Sequence, residues 1–165
     1  MKSPICLPLQ EDKLIYNDNS AYIKMYLIDG PVQPRKISEL IEKCGKNTET
    51  GAHSFFLGVV RSDRINGKSV KAIEYSAFDE MVKVEAEKIK TTIFSEFSDV
   101  RSIEILHSKG EVKAGEISLL VLISAGHRHH AIQACSKTVE MIKENLPVWK
   151  REIFEDNTYY WKQNE

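Results

Sequence analysis

The sequence predicts an α+β fold, with helices packed on a mixed sheet and a small β subdomain. Three observations lead there. Residues 79–97 and 131–146 repeat apolar side chains at three- and four-residue steps, the signature of amphipathic helices. EISLLVLIS, 116–124, is apolar almost without interruption, as a strand covered on both faces would be. HSFFLGVVR, 53–61, and VKAIEYSAF, 70–78, are rich in aromatic and β-branched residues and flank a polar loop carrying Asn66-Gly67.

Taken in order, residues 1–20 contain Pro4, Pro8 and a polar YNDNS run and read as an N-terminal extension with little regular structure. Residues 21–165 read as a single domain. AYIKMYLID, 21–29, alternates as a first strand. Gly30, Pro31 and Pro34 make a turn, and Ile37, Leu40 and Ile41 mark a short helix with Ser38 near its start. The stretches 53–61 and 70–78 pair as a β-hairpin, and Gly58 inside the first suggests a bulge or a close approach. In the helix 79–97 the stripe is Val82, Ala86, Ile89, Ile93 and Phe97, with Asp79 and Glu80 at its positive end. RSIEILHSK, 101–109, alternates as a strand, GEVKAGE is a glycine-bounded turn, and 116–124 is the buried strand. The last helix carries Ile132, Cys135, Val139, Ile142 and Leu146 as its apolar stripe. The tail, EDNTYYWKQNE, is aromatic, polar and not helical.

Composition narrows the function. Apolar residues make up 42% of 165, enough for a core, and the formal net charge is −1. Bulk charge therefore predicts neither a nucleic-acid nor a membrane partner. Cys6, Cys44 and Cys135 are odd in number, far apart and without a CxxC pair, so neither a disulfide framework nor a cysteine-rich zinc site is expected and a reducing cytoplasm fits best. No apolar run reaches the roughly 18 residues of a membrane span, and the N-terminus lacks the apolar core of a secretory signal.

Chemistry concentrates in MIKENLPVWKRE, 141–152. The helix stops at Pro147, and a reversal there brings Lys143 and Lys150 toward one place, followed by Arg151 and Glu152. Two neighbouring ammonium groups repel, so one loses its proton more readily, which suits acyl-transfer or imine chemistry and anion binding. SAGHRHHA is the second site: His127 and Arg128 stand on a helix start whose dipole disfavours cations, a conflict that a bound anion would resolve. His127, His129 and His130 contain no i, i+4 pair and no nearby acid or cysteine completes a set, so no metal is expected. Arg61 emerges from a strand end, placed for bidentate phosphate contact, with Arg64 in the loop beyond. Cys135 falls on the apolar stripe and reads as core. Arg61, His127, Arg128, Lys143, Lys150 and Arg151 together suggest one pocket for a phosphorylated small molecule.

GAHSFFLGVVRSDRINGKSV, IEYSAFDEM, HSKGEVKAGE, SAGHRHHA and LPVWKRE resemble, in order and spacing, the large catalytic subunit of molybdopterin synthase, over roughly Met25 to Lys162. The resemblance implies an α/β hammerhead fold and a central homodimer with a small ubiquitin-like subunit docked at each end, a heterotetramer. It implies a sulfurtransferase that uses the small subunit's C-terminal Gly-Gly thiocarboxylate to place two sulfurs on cyclic pyranopterin monophosphate, forming the molybdopterin dithiolene. No cofactor is implied. Carried over by motif, Lys143 and Lys150 are the catalytic lysines, and Val59, Val60, Arg61, His127, Arg128, Lys143, Lys150, Arg151 and Glu152 form the substrate segments. Two positions depart from the family pattern: His107-Ser108 replaces the usual His-Arg, and Asn157 replaces a usual glycine, which a left-handed turn tolerates. The rival reading is a non-enzymatic dimeric module that binds a phosphoanion or a ubiquitin-like tail.

Overall fold

The computed structural model describes residues 21–162, so the extension 1–20, with Cys6, lies outside the described residues. The elements run β1 Tyr22–Asp29, α1 Pro34–Cys44, β2 Ala52–Val59, β3 Arg64–Ile65, β4 Lys68–Ala77, α2 Asp79–Glu96, β5 Val100–Lys113, β6 Ile117–Ala125, α3 Arg128–Asn145, β7 Val148–Phe154 and β8 Tyr159–Lys162. They build one 8-stranded sheet in the order β2-β6-β5-β4-β7-β8, with β1 added alongside β5 and β3 alongside β4. Among the described residues only β1 and β5 run parallel; the other pairs are antiparallel.

The long strand β5 organises the sheet. Its first half pairs with β6 up to His107, opposite Leu119, and with β1 on its other side. Its last residues, Gly110 to Lys113, pair instead with β4. One continuous strand therefore joins a core half of the sheet to a smaller half made of β4, β7 and β8. This also moves the expected turn: strand continues to Lys113, and only residues 114–116 reverse the chain.

Two apolar clusters sandwich the core half. On one face α1 brings Leu40 and Cys44 against Leu106, Leu120 and Leu122. On the other face α2 and α3 bring Val82, Ile89, Ile93, Cys135, Val139 and Ile142 against Ile103, Ile105, Val121 and Ile123. β6 lies between both layers, and every residue from Ser118 to Ala125 is buried, which is why its sequence is continuously apolar rather than alternating.

Several expectations are corrected. The stretches 53–61 and 70–78 do not form a hairpin with each other: β2 pairs with β6, and β4 pairs with β5 and β7. The Asn66-Gly67 signal makes its hairpin between β4 and the two-residue β3, with both loop residues at positive φ, 49° and 81°. Helix α1 begins at Pro34 behind Gln33, so Ser38 is interior and not near its start. Ile41 is exposed, because Leu40 and Cys44 take the core side of that turn. On α3, Ile132 is 61% exposed, and the buried stripe is Ala131, Ala134, Cys135, Thr138, Val139 and Ile142. Small residues at 131 and 134 let the helix lie close against β2 and β6, and Ile132 is turned about 100° away. The segment after Pro147 and part of the aromatic tail form strands β7 and β8. Asn157 adopts φ 63°, the left-handed turn expected of it.

Candidate functional site

Pro147 builds the site. The residue before a proline is driven to extended backbone, and Leu146 closes α3 at φ −68° and ψ 125°. Val148 then enters β7 directly, antiparallel to β4. In that register Lys150 lies opposite Tyr75 and Glu152 opposite Ile73, so these four share one face of the sheet. Lys143, on the last turns of α3, overlooks the same face. Together with Gly58, Val59, Val60, Arg61, Asp63, His107, Ser118, Leu119, Ile142, Leu146 and Val148 they line one cleft of ≈ 260 Å³.

The rim at residues 58–61 is held by backbone geometry. A bulge falls between Gly58 and Val59, and a Cβ at Gly58 would lie 3.2 Å from the Leu119 Cβ. Gly58 is thus both the bulge and the close approach that its place in the strand suggested. The Val60 N–H donates to the Glu116 carbonyl at 3.0 Å, and its own carbonyl accepts from the Gly115 N–H at 2.8 Å. Val60 is buried, whereas Arg61 stands 77% exposed at the mouth with its guanidinium 3.0 Å from Asp63.

Among the residues named by the sequence, Val59, Val60, Arg61, Lys143, Lys150 and Glu152 meet in this cleft. Arg151 does not line it. As the residue between Lys150 and Glu152 it points to the opposite face, pairs with Glu74, and stacks its guanidinium over Tyr159 at 4.8 Å and Trp161 at 5.6 Å. His127 and Arg128 line a separate hollow with Gly51, Gly126 and His129. They sit at the first turn of α3 and Lys143 on its last, a separation of roughly 22 Å along a helix rising 1.5 Å per residue. The six basic groups expected in one pocket are therefore divided within a single chain.

Two site residues escaped the sequence reading. Asp99 supplies negative charge at the α3 start: its carboxylate accepts from the His127 backbone N–H at 2.9 Å, from His127 Nδ1 at 2.9 Å, and from His130 Nδ1. Burial pushes Asp99 up, but the hydrogen bonds from His127 and His130 outweigh it and hold its carboxyl below the usual carboxylate range. Asp99 is an isolated acid in a turn, and nothing local announces its partners. The second residue is His107, buried in the cleft wall edge-on to Tyr75 with ring centroids 5.3 Å apart. Burial pushes its imidazole down to about 4 against the raising effect of its bond to the Ser108 carbonyl, and Lys150 and Lys143 lower it further. Burial likewise raises the Tyr75 phenol. No helix among the described residues is long and apolar enough to cross a membrane.

The comparisons with known proteins agree with this architecture. The family model described as MoaE protein matches residues 27–145. A molybdopterin synthase catalytic subunit from Dictyostelium discoideum is 39% identical over 124 residues, 74% of this chain and 78% of that protein. One from Pyrococcus abyssi is 37% identical, covering 69% of this chain and 76% of that protein. One from Drosophila melanogaster is 34% identical over 84% of this chain, which spans only 37% of that longer protein. Among solved structures, molybdopterin synthase from Staphylococcus aureus superposes with TM-score 0.72 at 29% identity, over 83% of this chain and 95% of that one. A complex of subunits 1 and 2 of molybdopterin-converting factor from Helicobacter pylori shares the fold, with TM-score 0.71 at 21% identity, over 86% of this chain and 91% of that one. With a family model matching most of its length and relatives of this identity along the same span, the chain belongs to the MoaE protein family.

Proposed function

We propose that residues 21–165 form the catalytic domain of a molybdopterin synthase and that residues 1–20 are an extension to it. In this reading the chain transfers sulfur from the thiocarboxylated C-terminus of a small ubiquitin-like subunit to cyclic pyranopterin monophosphate, forming the molybdopterin dithiolene in the cytoplasm. The observation that carries the reading is the convergence of Lys143, Lys150 and Arg61 on one cleft beside the Val59–Val60 rim. A thiocarboxylate and a phosphate monoester are both anions, and this cleft offers two ammonium groups and a guanidinium to receive them.

Each residue has a defined task. Arg61, at the mouth, contacts the phosphate. Lys143 and Lys150 flank the acyl carbon of the inserted tail. The thiocarboxylate sulfur bonds to a pterin side-chain carbon as that carbon's bond to oxygen breaks, the oxygen leaving as water or as the opened phosphate ester. Water then cleaves the acyl–sulfur bond and restores the small subunit's C-terminal carboxylate. Two such transfers complete the dithiolene. Glu152, buried on the same strand face as Lys150, orients the lysine end of the cleft.

The cleft is small for a substrate site, just under the range of about 300–1,000 Å³ common for small-molecule pockets. The separation of His127 and Arg128 from it supports the same conclusion: a second copy of the chain contributes that segment. The working assembly is then a homodimer carrying a small subunit at each end. The test is incubation with a thiocarboxylated small subunit and cyclic pyranopterin monophosphate, followed by mass spectrometry. A pterin product carrying two sulfurs, with the matching loss of side-chain oxygen, is expected. An unchanged pterin with the small subunit bound would leave only an anion-binding or tail-binding module.

A further inference from the structure

His107 occupies a position that alternation assigns to the core. It is third in the row Ile103, Ile105, His107 on the face of β5 that packs under α2 and α3. The first two are completely buried in apolar surroundings, and the row then ends at the cleft wall, where His107 is 5% exposed. Beyond it β5 leaves β6 and joins β4, so the imidazole stands at the seam between the two halves of the sheet. The cleft it walls also carries Lys143 from α3, Lys150 and Glu152 from β7, Tyr75 from β4, Arg61 and Asp63 beyond β2, and Ser118 from β6, while β1 sets only the apolar Leu27 beside it.

Its ring is committed in one direction. Nδ1 lies 2.9 Å from the Ser108 carbonyl oxygen. A carbonyl only accepts, so Nδ1 carries the proton, and in the neutral ring Nε2 is left with a bare lone pair. The cleft around it is lined by ammonium groups, which only donate.

We propose that His107 is a positioning residue for sulfur transfer, its Nε2 accepting a hydrogen bond from the lysine amines of the cleft and so fixing the direction in which they meet the substrate. This rests on the function proposed above. The imidazole is not a proton remover: a ring that stays neutral down to about 4 is far too weak a base to strip a lysine ammonium. Its value is the opposite, an acceptor that stays uncharged beside two cations. Ordinary core packing would be served by any flat side chain of similar size; only an acceptor at the Nε2 position serves the lysines.

Three substitutions separate these roles. His107→Gln puts an amide oxygen near the Nε2 position, His107→Asn keeps only the short arm facing Ser108, and His107→Phe keeps the shape alone. In single-turnover sulfur transfer, Asn and Phe should slow the reaction at least about tenfold with pterin affinity within about threefold, and Gln should recover most of the rate. Wild-type rates in the Asn or Phe variants, or a Gln variant no faster than Phe, would overturn the assignment. A second readout needs neither activity nor a variant. Nitrogen-15 NMR of the wild-type protein at neutral pH should show His107 neutral, with Nδ1 protonated and Nε2 bare. An Nε2-protonated ring or an imidazolium would also overturn it. Failure of the wild-type protein to transfer sulfur would instead remove the function proposed above, while the NMR result would still judge the ring.

Discussion

Arg128 and Lys143 stand at opposite ends of α3, about four helical turns apart, and line different hollows of the same protomer. If both serve one substrate, they do so across two copies of the chain. Arg128→Ala and Lys143→Ala should each be inactive alone. Co-expressed in equal amounts they should regain about a quarter of wild-type activity, because half of randomly paired dimers are mixed and each mixed dimer holds one intact site. Absence of any recovery, with mixed dimers confirmed by native mass spectrometry, would place both residues' work within one protomer.

Lys143→Arg tests chemistry against charge. The position lies in the last turn of α3, and arginine has similar helix propensity, so stability should barely change. A guanidinium can hold a phosphate as well as an amine can, but it cannot act as nucleophile or base. Turnover at saturating substrate should fall by about a hundredfold or more. Near-normal turnover would make Lys143 a binding residue.

On the far face of the sheet, Lys43 Nζ lies 2.5 Å from Glu104 Oε1, and Glu104 is completely buried. Burial would lower the Lys43 amine, but the hydrogen bond and charge of Glu104 raise it overall. Lys43→Met should cost about 1–3 kcal/mol in urea denaturation, the range for a buried polar group that loses a partner, since Lys43 itself is partly in water and Glu104 keeps only its hydrogen bond with Tyr22. Adding Glu104→Leu should return part of that loss, because the stranded carboxylate is then gone. A double variant less stable than the single one would show that the Tyr22–Glu104 hydrogen bond outweighs the cost of burying the carboxylate.

His107 also sets a pH window. Its folded value, about 4, lies below the ordinary 6.5, so the unfolded chain takes up a proton first as pH falls. The stabilising contribution is whole above about 6.5 and declines toward 4, with about 2 kcal/mol lost by about pH 5. Asp99, whose carboxyl is held low, acts in a window below this one. Urea denaturation at about pH 7.5 and about pH 5 should therefore show a larger drop for wild type than for His107→Gln. Equal drops would mean that His107 titrates normally in the folded state.

What could be read from the chain divides by distance along it. The long helices, β1 and β6 follow from periodicity within one window, and Lys143 and Lys150 come together through a reversal only a few residues long. The partner of β2 could not be read that way. The Asn66-Gly67 turn was real, but a two-residue strand used it, and Ala52 found Ala125 across the sheet instead. Arg151 does not join Lys150 in the cleft because strand alternation turns it away from its neighbours, and that follows only once residues 148–154 are known to be a strand. Asp99 and His107 carry no local signal, since each acquires its role from groups supplied by other elements.

The shared strand β5 has a consequence for how this protein can vary. Between His107, last to pair with β6, and Gly110, first to pair with β4, the chain has a fixed count of residues. Adding or removing one there would shift one half of the sheet against the other by a single register and invert its faces. Tyr75, Lys150 and Glu152 would then point away from Lys143, while every residue of the site remained in the sequence. This stretch should accept changes of side chain, as Ser108 already illustrates, but not changes of length.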